Sequence, residues 1–187
     1  VDVYDKMYGA GRWKFSTIYS LSIGQGELGI SPIQMANFVS IIANKGYYYT
    51  PHLVKKIGDK GSLTKYNKKH FTTIDSSYYS IVIDGMERVI NESGGTGFRA
   101  KLDSVIVCGK TGTSQNPHGE DHSVFIAFAP RVNPTIAVSV YVENSGQGAR
   151  AAASIAGLMI EKYLYGGPQN RRRQYIEDYT IKGHFIY

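Results

Sequence analysis

The sequence lacks the features that mark several large classes of protein. Its 187 residues include one cysteine, Cys108, which excludes an internal disulfide framework and a zinc site built on paired cysteines. The longest apolar run, Ala151 to Ile160, has ten mostly small residues, whereas a bilayer-spanning helix needs roughly 18. We therefore expect no transmembrane segment. The chain opens at Val1 with neither a methionine nor a secretory signal, and this suggests a piece of a longer protein.

The composition is that of a folded domain with a basic surface. Hydrophobic residues make up 42% of the chain, enough to bury a core, and the formal net charge is +6. Most of the excess lies in residues 55–70, which hold six lysines and one aspartate. These lysines stand among glycine and polar residues, as in a solvated turn. We expect no nucleic-acid binding from them, since such patches attract any anionic surface or polymer.

Three helices are predicted from end signals and from apolar residues at helical spacing. Ser31 and Gln34 form a capping box around Pro32, and Gly46 ends the helix that follows. Apolar residues cover most of the circumference of that helix, which is typical of a buried helix. The other two helices are predicted at 75–92 and 149–164.

Strands are predicted in four segments: residues 47–57, 104–114, 123–130 and 135–143. The last three are joined by short connections, which favour antiparallel neighbours over helix-linked parallel strands. The first thirty residues are expected to be irregular, and the tail after Gly166 a polar, loosely attached strip. These elements together predict an α+β fold, with an antiparallel sheet faced by helices.

The segment GKTGT, residues 109–113, carries the sharpest chemical signal. On a strand, Lys110 and Gly112 share a face, so the ammonium group can meet a carboxylate while the glycine lets a ligand backbone approach. Thr111 and Thr113 supply hydroxyl groups, and an exposed strand edge can pair with a peptide. This pattern is typical of the K-T-G strand in penicillin-recognising serine enzymes.

The same segment has two other interpretations. A phosphate-binding loop also places Lys-Thr after glycine, but its first glycine corresponds to Ser104, and the intervening residues form a strand rather than an anion-binding turn. The second alternative is an ordinary solvent-facing lysine in an edge strand. The short motif alone leaves that alternative open.

Five segments resemble, in the same order, the C-terminal half of class B penicillin-binding proteins of the elongation type: SIGQGELGISPIQMANFVSIIANKGYYYTPHLV, GMERVI, CGKTGTSQN, FIAFAPRVNP and VSVYVENSG. The resemblance covers roughly residues 4–165. It implies a partial penicillin-binding transpeptidase fold, of the β-lactamase-like kind, over residues 1–167. Residues 168–187 would form a polar basic tail.

The resemblance implies a serine-type peptidoglycan D,D-transpeptidase, which cross-links stem peptides in cell-wall synthesis and is acylated by β-lactam antibiotics. Lys110 would bind the terminal carboxylate of a D-Ala-D-Ala stem peptide or of a β-lactam. Thr111, Gly112 and Thr113 would line the same site, and the backbone N–H of Thr113 would form half of an oxyanion hole. The resemblance implies neither a cofactor nor a metal ion.

The family also implies a location and partners for the parent protein. Its members are anchored in the bacterial cytoplasmic membrane with the transpeptidase domain on the periplasmic side. They determine cell shape together with a glycan-strand polymerase and other proteins of the elongation complex. The chain itself, without its anchor, is expected to be soluble.

The family mechanism needs two further motifs, S-x-x-K with the nucleophilic serine and S-x-N. Both precede the SIGQGEL segment in the family. Ser62 to Lys65 has the letters of the first, but it lies in a turn rich in glycine and solvated lysine rather than at a buried helix start. Ser114 to Asn116 has the letters of the second, but it directly follows the K-T-G strand. We therefore expect this chain to lack the nucleophile and to be inactive alone.

Two alternative functions remain at this point. One is a β-lactamase or β-lactam sensor with the same fold, and the other is a non-catalytic module whose K-T-G edge docks peptides or cell-wall polymer.

The remaining candidate residues are interpreted as structural. His118 and His122 flank Gly119-Glu120-Asp121, but Pro117 and Gly119 make this segment a loop, so no metal site is predicted there. Cys108 is interpreted as a small packed residue. His52 and Glu143 have no identifiable chemical partners.

Overall fold

The computed structural model of the protein describes residues 2–26, 28–59, 61, 63–146 and 149–183. The chain divides into two compact units, Val1–Ile30 and Ser31–Tyr187. None of the helices in the described ranges combines the length and hydropathy needed to cross a bilayer.

The first unit contains two short helices, α1 (Asp2–Tyr8) and α2 (Phe15–Ser22). The prediction of an irregular segment was therefore wrong. Gly9 and Gly11, with φ angles of 90° and 67°, let the chain turn between the helices. The Asp5 carboxylate fixes this turn by accepting hydrogen bonds from the Gly11 N–H and the Trp13 indole. Neither helix contains a buried residue.

The second unit begins with α3 (Pro32–Ala43), and its predicted capping box is confirmed. The Ser31 hydroxyl accepts a hydrogen bond from the Gln34 N–H, and the Gln34 side chain accepts one from the Ser31 N–H at 2.8 Å. The helix ends as predicted before Gly46, whose N–H donates to the Ile41 carbonyl at 2.9 Å. Lys45 takes the left-handed conformation there, with φ of 55°.

The prediction that this helix is buried all round was wrong. Val39, Ile42 and Ala43 are buried, but Ile33 and Phe38 are each 56% exposed. The helix is therefore buried on part of its surface and exposed on the rest.

A two-stranded ribbon follows, formed by β1 (Tyr47–Tyr48) and β2 (His70–Phe71). The prediction of a strand over residues 47–57 was wrong beyond Tyr48. Pro51 has no N–H to pair with a neighbouring strand and restricts the residue before it. The basic segment between these strands contains a 3-10 helix, Thr64–Asn67, and its described lysines are exposed, as predicted.

The predicted second helix is confirmed as α4 (Ser76–Asn91). The Asp75 carboxylate accepts a hydrogen bond from the Ser77 N–H and caps the helix. The buried side chains recur at helical spacing: Tyr79, Ile83, Met86 and Ile90. A 3-10 helix, Phe98–Ala100, connects α4 to the main sheet.

The main sheet consists of β3 (Cys108–Ser114), β4 (His122–Ala129) and β5 (Ile136–Val142). They pair antiparallel in the order β3-β4-β5, which confirms the predicted α+β fold. The helix α5 (Ala151–Tyr165) covers one face, named here the α5 face. The sheet residues buried on this face include Phe125, Ala127, Val138 and Val140.

Helices α3 and α4 pack against the other face, named here the α3/α4 face, where Cys108 and Phe128 are buried. Lys110 lies on this same face, because it is two residues beyond Cys108 on β3 and pairs with Ile126.

The tail contains a sixth helix, α6 (Arg171–Ile181), and is not the loosely attached strip that we predicted. Arg173 is 2% exposed and Glu161 of α5 is 1% exposed. The Arg173 Nε donates to the Glu161 carboxylate at 2.8 Å, and the Arg173 Nη1 donates to the Arg99 carbonyl. A buried arginine needs such partners, and they fix α6 against α5.

Candidate active site

Lys110 projects from the outer strand of the main sheet. β3 has β4 on one side, and no strand of the described ranges pairs with its other side. The Lys110 side chain is exposed, and its Nζ donates a hydrogen bond to the adjacent Thr111 carbonyl at 2.8 Å. The ammonium group therefore stands at an open sheet edge where it can meet a ligand carboxylate.

Thr111 lies on the opposite face of β3 from Lys110, because it pairs with Phe125 on the α5 face. Its hydroxyl lies 3.0 Å from the hydroxyl of Thr96, a residue of the turn after α4. Thr96 was not among the predicted site residues, because its segment was interpreted only as the end of a helix. The available signal was a threonine enclosed by glycines in Ser93-Gly94-Gly95-Thr96-Gly97.

The two glycines that flank Lys110 have different surroundings. A Cβ atom at Gly109 would lie 2.8 Å from both the Ile126 carbonyl oxygen and the Phe125 ring, so the fold requires glycine there. A Cβ atom at Gly112 would lie 3.4 Å from the Val124 Cβ, an ordinary van der Waals contact. Packing against β4 thus does not require glycine at position 112.

Cys108 precedes Lys110 by two residues on the same face of β3. It is fully buried between β3 and the α3/α4 layer. Burial raises the pKa of the Cys108 thiol to about 12, with a smaller contribution in the same direction from the Glu87 carboxylate. The thiol is therefore protonated at neutral pH and acts as a packed structural residue, as the sequence predicts.

The loop between β3 and β4 is tied to Asn144, a residue that follows β5. The Asn116 side chain donates to the Asn144 side chain at 2.7 Å, and the Asn144 N–H donates to His122 Nδ1 at 3.0 Å. Within the residues that the structure describes, no group of three potential metal ligands comes together. The Ser114-Gln-Asn116 segment thus contributes loop structure. Ser62, the other text match to a catalytic motif, lies outside the described residues.

A family model described as the penicillin binding protein transpeptidase domain matches residues 4–161. Among curated proteins, the peptidoglycan D,D-transpeptidase MrdA of Haemophilus influenzae is 32% identical over 90% of this chain. This chain spans only 28% of the length of that protein.

Solved structures of penicillin-binding proteins are also similar to this chain. PBP2 of Pseudomonas aeruginosa, in complex with WCK 5153, aligns with a TM-score of 0.78 and 29% identity over 91% of this chain and 38% of its own. Penicillin-binding protein A of Mycobacterium tuberculosis, as an imipenem acyl-enzyme complex, aligns with a TM-score of 0.61 and 26% identity. This alignment covers 75% of the present chain and 32% of the mycobacterial one.

Proposed function

The chain belongs to the penicillin-binding protein transpeptidase family, and from that membership we propose that its complete protein is a PBP2-type peptidoglycan D,D-transpeptidase. The complete protein would cross-link stem peptides through a serine acyl-enzyme and would be acylated by β-lactams. The observation that carries the proposal is the exposed Lys110 ammonium at the open edge of β3. The imipenem acyl-enzyme of the mycobacterial relative supports the β-lactam part.

Lys110 is assigned to the carboxylate of the D-Ala-D-Ala terminus, or to the equivalent carboxylate of a β-lactam. A charge-assisted hydrogen bond is stronger than one between neutral groups. In the free chain the ammonium donates to the Thr111 carbonyl, so a ligand carboxylate would replace a weaker, neutral acceptor. Thr111 lies on the opposite face of β3, and it would donate its hydroxyl to a carboxylate that lies beyond the open edge of the strand. Gly112 would leave room for the peptide backbone.

The Thr113 backbone N–H is assigned to the oxyanion hole. Residues of an antiparallel strand alternate in directing their main-chain groups toward the neighbouring strand and away from it. Thr113 thus directs its main-chain groups to the same side as Thr111, whose carbonyl accepts from the Lys110 side chain. A donor at this position would stabilise the tetrahedral oxyanion more than the ground-state carbonyl.

The nucleophile is assigned to a part of the complete protein that this chain does not carry. The chain contributes the carboxylate-binding strand, and the serine and its base would come from S-x-x-K and S-x-N motifs elsewhere. We accordingly place the complete protein in the bacterial cytoplasmic membrane with this domain on its periplasmic side. Its partners would be a glycan-strand polymerase and other elongation-complex proteins.

Acylation by a fluorescent penicillin tests this proposal. The complete protein should form a covalent adduct, seen as a mass increase equal to the penicillin, and the 187-residue chain alone should not. Lys110→Met in the complete protein should lower the second-order acylation rate constant by about 100-fold, because it removes a charge-assisted hydrogen bond to the ligand.

Lys56→Met is the matched control, since Lys56 is an exposed lysine of the basic segment. It should leave the acylation rate within about twofold, as expected for a surface substitution. The absence of any adduct on the complete protein would overturn the proposal and favour a non-catalytic binding module. Rapid hydrolysis of the adduct would identify a β-lactamase instead.

A further inference from the structure

The turn that follows α4 is held rigidly against the core, although its sequence, Ser93-Gly94-Gly95-Thr96-Gly97, is rich in glycine. The Gly95 N–H donates to the Glu92 carbonyl at 3.1 Å, and the Gly97 N–H donates to the Val89 carbonyl at 2.8 Å. Both bonds attach the turn to the last residues of α4. The turn is therefore an extension of the helix end and not a free loop.

The glycines are required by close contacts. A Cβ atom at Gly95 would lie 2.4 Å from the Val89 carbonyl oxygen, closer than any real contact. At Gly97 it would lie 3.1 Å from the Phe125 ring and 3.2 Å from Ile90. Gly94 has a φ angle of 80°, which favours glycine. Gly95 therefore packs directly on the end of α4, and Gly97 packs on Phe125 of the central strand.

Thr96 is thereby presented to the candidate active site. It is the one residue between Gly95 and Gly97, and its hydroxyl lies 3.0 Å from the hydroxyl of Thr111. A hydroxyl group has one proton to donate and two lone pairs to accept with. If Thr96 donates to the Thr111 oxygen, the Thr111 proton is left to point at an acceptor beyond the strand.

We propose that Thr96 is a positioning residue that directs the Thr111 hydroxyl proton toward the carboxylate of the bound peptide or β-lactam. The inference rests on the proposed function, because it concerns the same strand. A ligand carboxylate can only accept, so it selects the arrangement in which Thr111 donates to it and Thr96 donates to Thr111. Without Thr96, the Thr111 hydroxyl can rotate, and the carboxylate meets a less ordered donor.

The position of the pair predicts which kinetic step it affects. The carboxylate keeps its charge while the serine attacks the carbonyl, so Thr111 holds it equally in the ground state and in the transition state. Loss of such uniform binding weakens the initial complex and leaves the chemical step unchanged. Loss of the oxyanion donor at Thr113 would instead slow the chemical step and leave the initial complex unchanged.

Stopped-flow acylation of the complete protein by a fluorescent penicillin separates the two steps. Thr96→Val should raise the dissociation constant of the initial complex by about 5- to 10-fold, the effect of one neutral hydrogen bond, and leave the acylation rate constant within about twofold. Thr96→Ser keeps the hydroxyl and should bind like the wild type. Thr64→Val is the matched control, because Thr64 is an exposed threonine of the 3-10 helix in the basic segment.

A double-mutant cycle with Thr111→Val tests whether Thr96 acts through Thr111. Adding Thr96→Val to Thr111→Val should change the dissociation constant by less than about twofold, since the shared interaction is already gone. The melting temperature of each variant shows whether folding is intact, and Thr96→Ala is the second variant if the valine side chain perturbs the turn.

Three results would overturn the inference: unchanged binding by both Thr96→Val and Thr96→Ala, equal defects in Thr96→Val and Thr96→Ser, or a full effect of Thr96→Val in the Thr111→Val background. Each would leave the proposed function standing as long as the wild type is acylated. A wild type without acylation would instead refute the proposed function itself.

Discussion

The two faces of the main sheet are covered to different extents along the same strands. On the α5 face, burial extends to the far end of β4, where Ser123 is fully buried. The Ser123 hydroxyl there accepts a hydrogen bond from the Ala152 N–H at the start of α5. On the α3/α4 face, burial ends after Cys108 and Phe128, and Lys110, the next residue of β3 on that face, is exposed.

The two faces of β3 therefore differ in what they contribute: the α5 face contributes stability, and the α3/α4 face leaves Lys110 exposed. The α5 face holds the larger buried cluster, and it keeps β3 and β4 in register. The α3/α4 face needs to hold only the inner end of β3, so its outer end is open for a ligand. A rigid strand with one open face is the arrangement that a preorganised binding group requires.

The largest effect on stability should come from removing a large side chain that is buried on the α5 face. Phe125→Ala should lower the free energy of unfolding by about 3–5 kcal/mol, because it removes a fully buried ring and leaves a cavity. Urea denaturation of the full chain measures this change. Phe38→Ala is the same substitution at a 56% exposed position on α3, where a loss below about 1 kcal/mol is expected. Equal losses would show that the two sides of the molecule are equally packed.

A second test asks whether α6 completes the α5 side. Arg173→Ala should lower the free energy of unfolding by about 3 kcal/mol, since it leaves the Glu161 carboxylate buried without its guanidinium partner. Arg172 is the adjacent arginine and is exposed, so Arg172→Ala should change stability by less than about 0.5 kcal/mol. Thermal unfolding of both variants provides the measurement. If Arg173→Ala lowered stability as little as Arg172→Ala, the contact between α6 and α5 would not contribute to the stability of the chain.

The smallest effects compare the helices themselves and should have opposite signs. A Cβ atom at Gly157 of α5 would lie 2.9 Å from the Ala100 Cα and 3.0 Å from the Arg173 Nη2. Gly157→Ala should therefore destabilise the chain by about 1–2 kcal/mol through overpacking. No atom lies within 4 Å of the same position at Gly85 of α4. Gly85→Ala should stabilise the chain by about 0.5–1 kcal/mol through helix propensity.

Chemical denaturation of these two glycine variants is sensitive enough to establish the sign of each change. Two stabilising substitutions would mean that α5 can shift away from the 3-10 helix at Phe98–Ala100. The tight covering of the α5 face would then be a weaker constraint than the distances suggest.

Local signals in the sequence predicted the elements that depend on neighbouring residues. The capping box at Ser31 and Gln34, the helix predicted at 75–92 and the three β-branched strands depend on residues close together in the chain, and the structure contains them. The first of these strands begins at Cys108, four residues later than predicted. Some errors are local, such as the two missed helices of the first unit and the strand that ends at Tyr48. The others concern contacts between distant residues. The Glu161–Arg173 pair joins positions on either side of Gly166-Gly167-Pro168, so no helical spacing relates them, and α6 was missed with it.

The candidate site divides in the same way. Lys110 and Thr111 were predicted from one short motif on a strand, and the structure shows this strand at the sheet edge. Thr96 reaches Thr111 only because Gly95 and Gly97 fold the chain back onto α4, a contact that no local pattern specifies. The roles of these residues toward a ligand remain predictions.

The buried state of Cys108 has a practical consequence. The only thiol of the chain is inaccessible and stays protonated at neutral pH, so maleimide reagents will not modify it in the native state. Cysteines introduced at exposed positions can then carry fluorophores or spin labels while the native residue stays in place. Distances measured between such labels would report the position of β3 relative to the helices that cover the sheet.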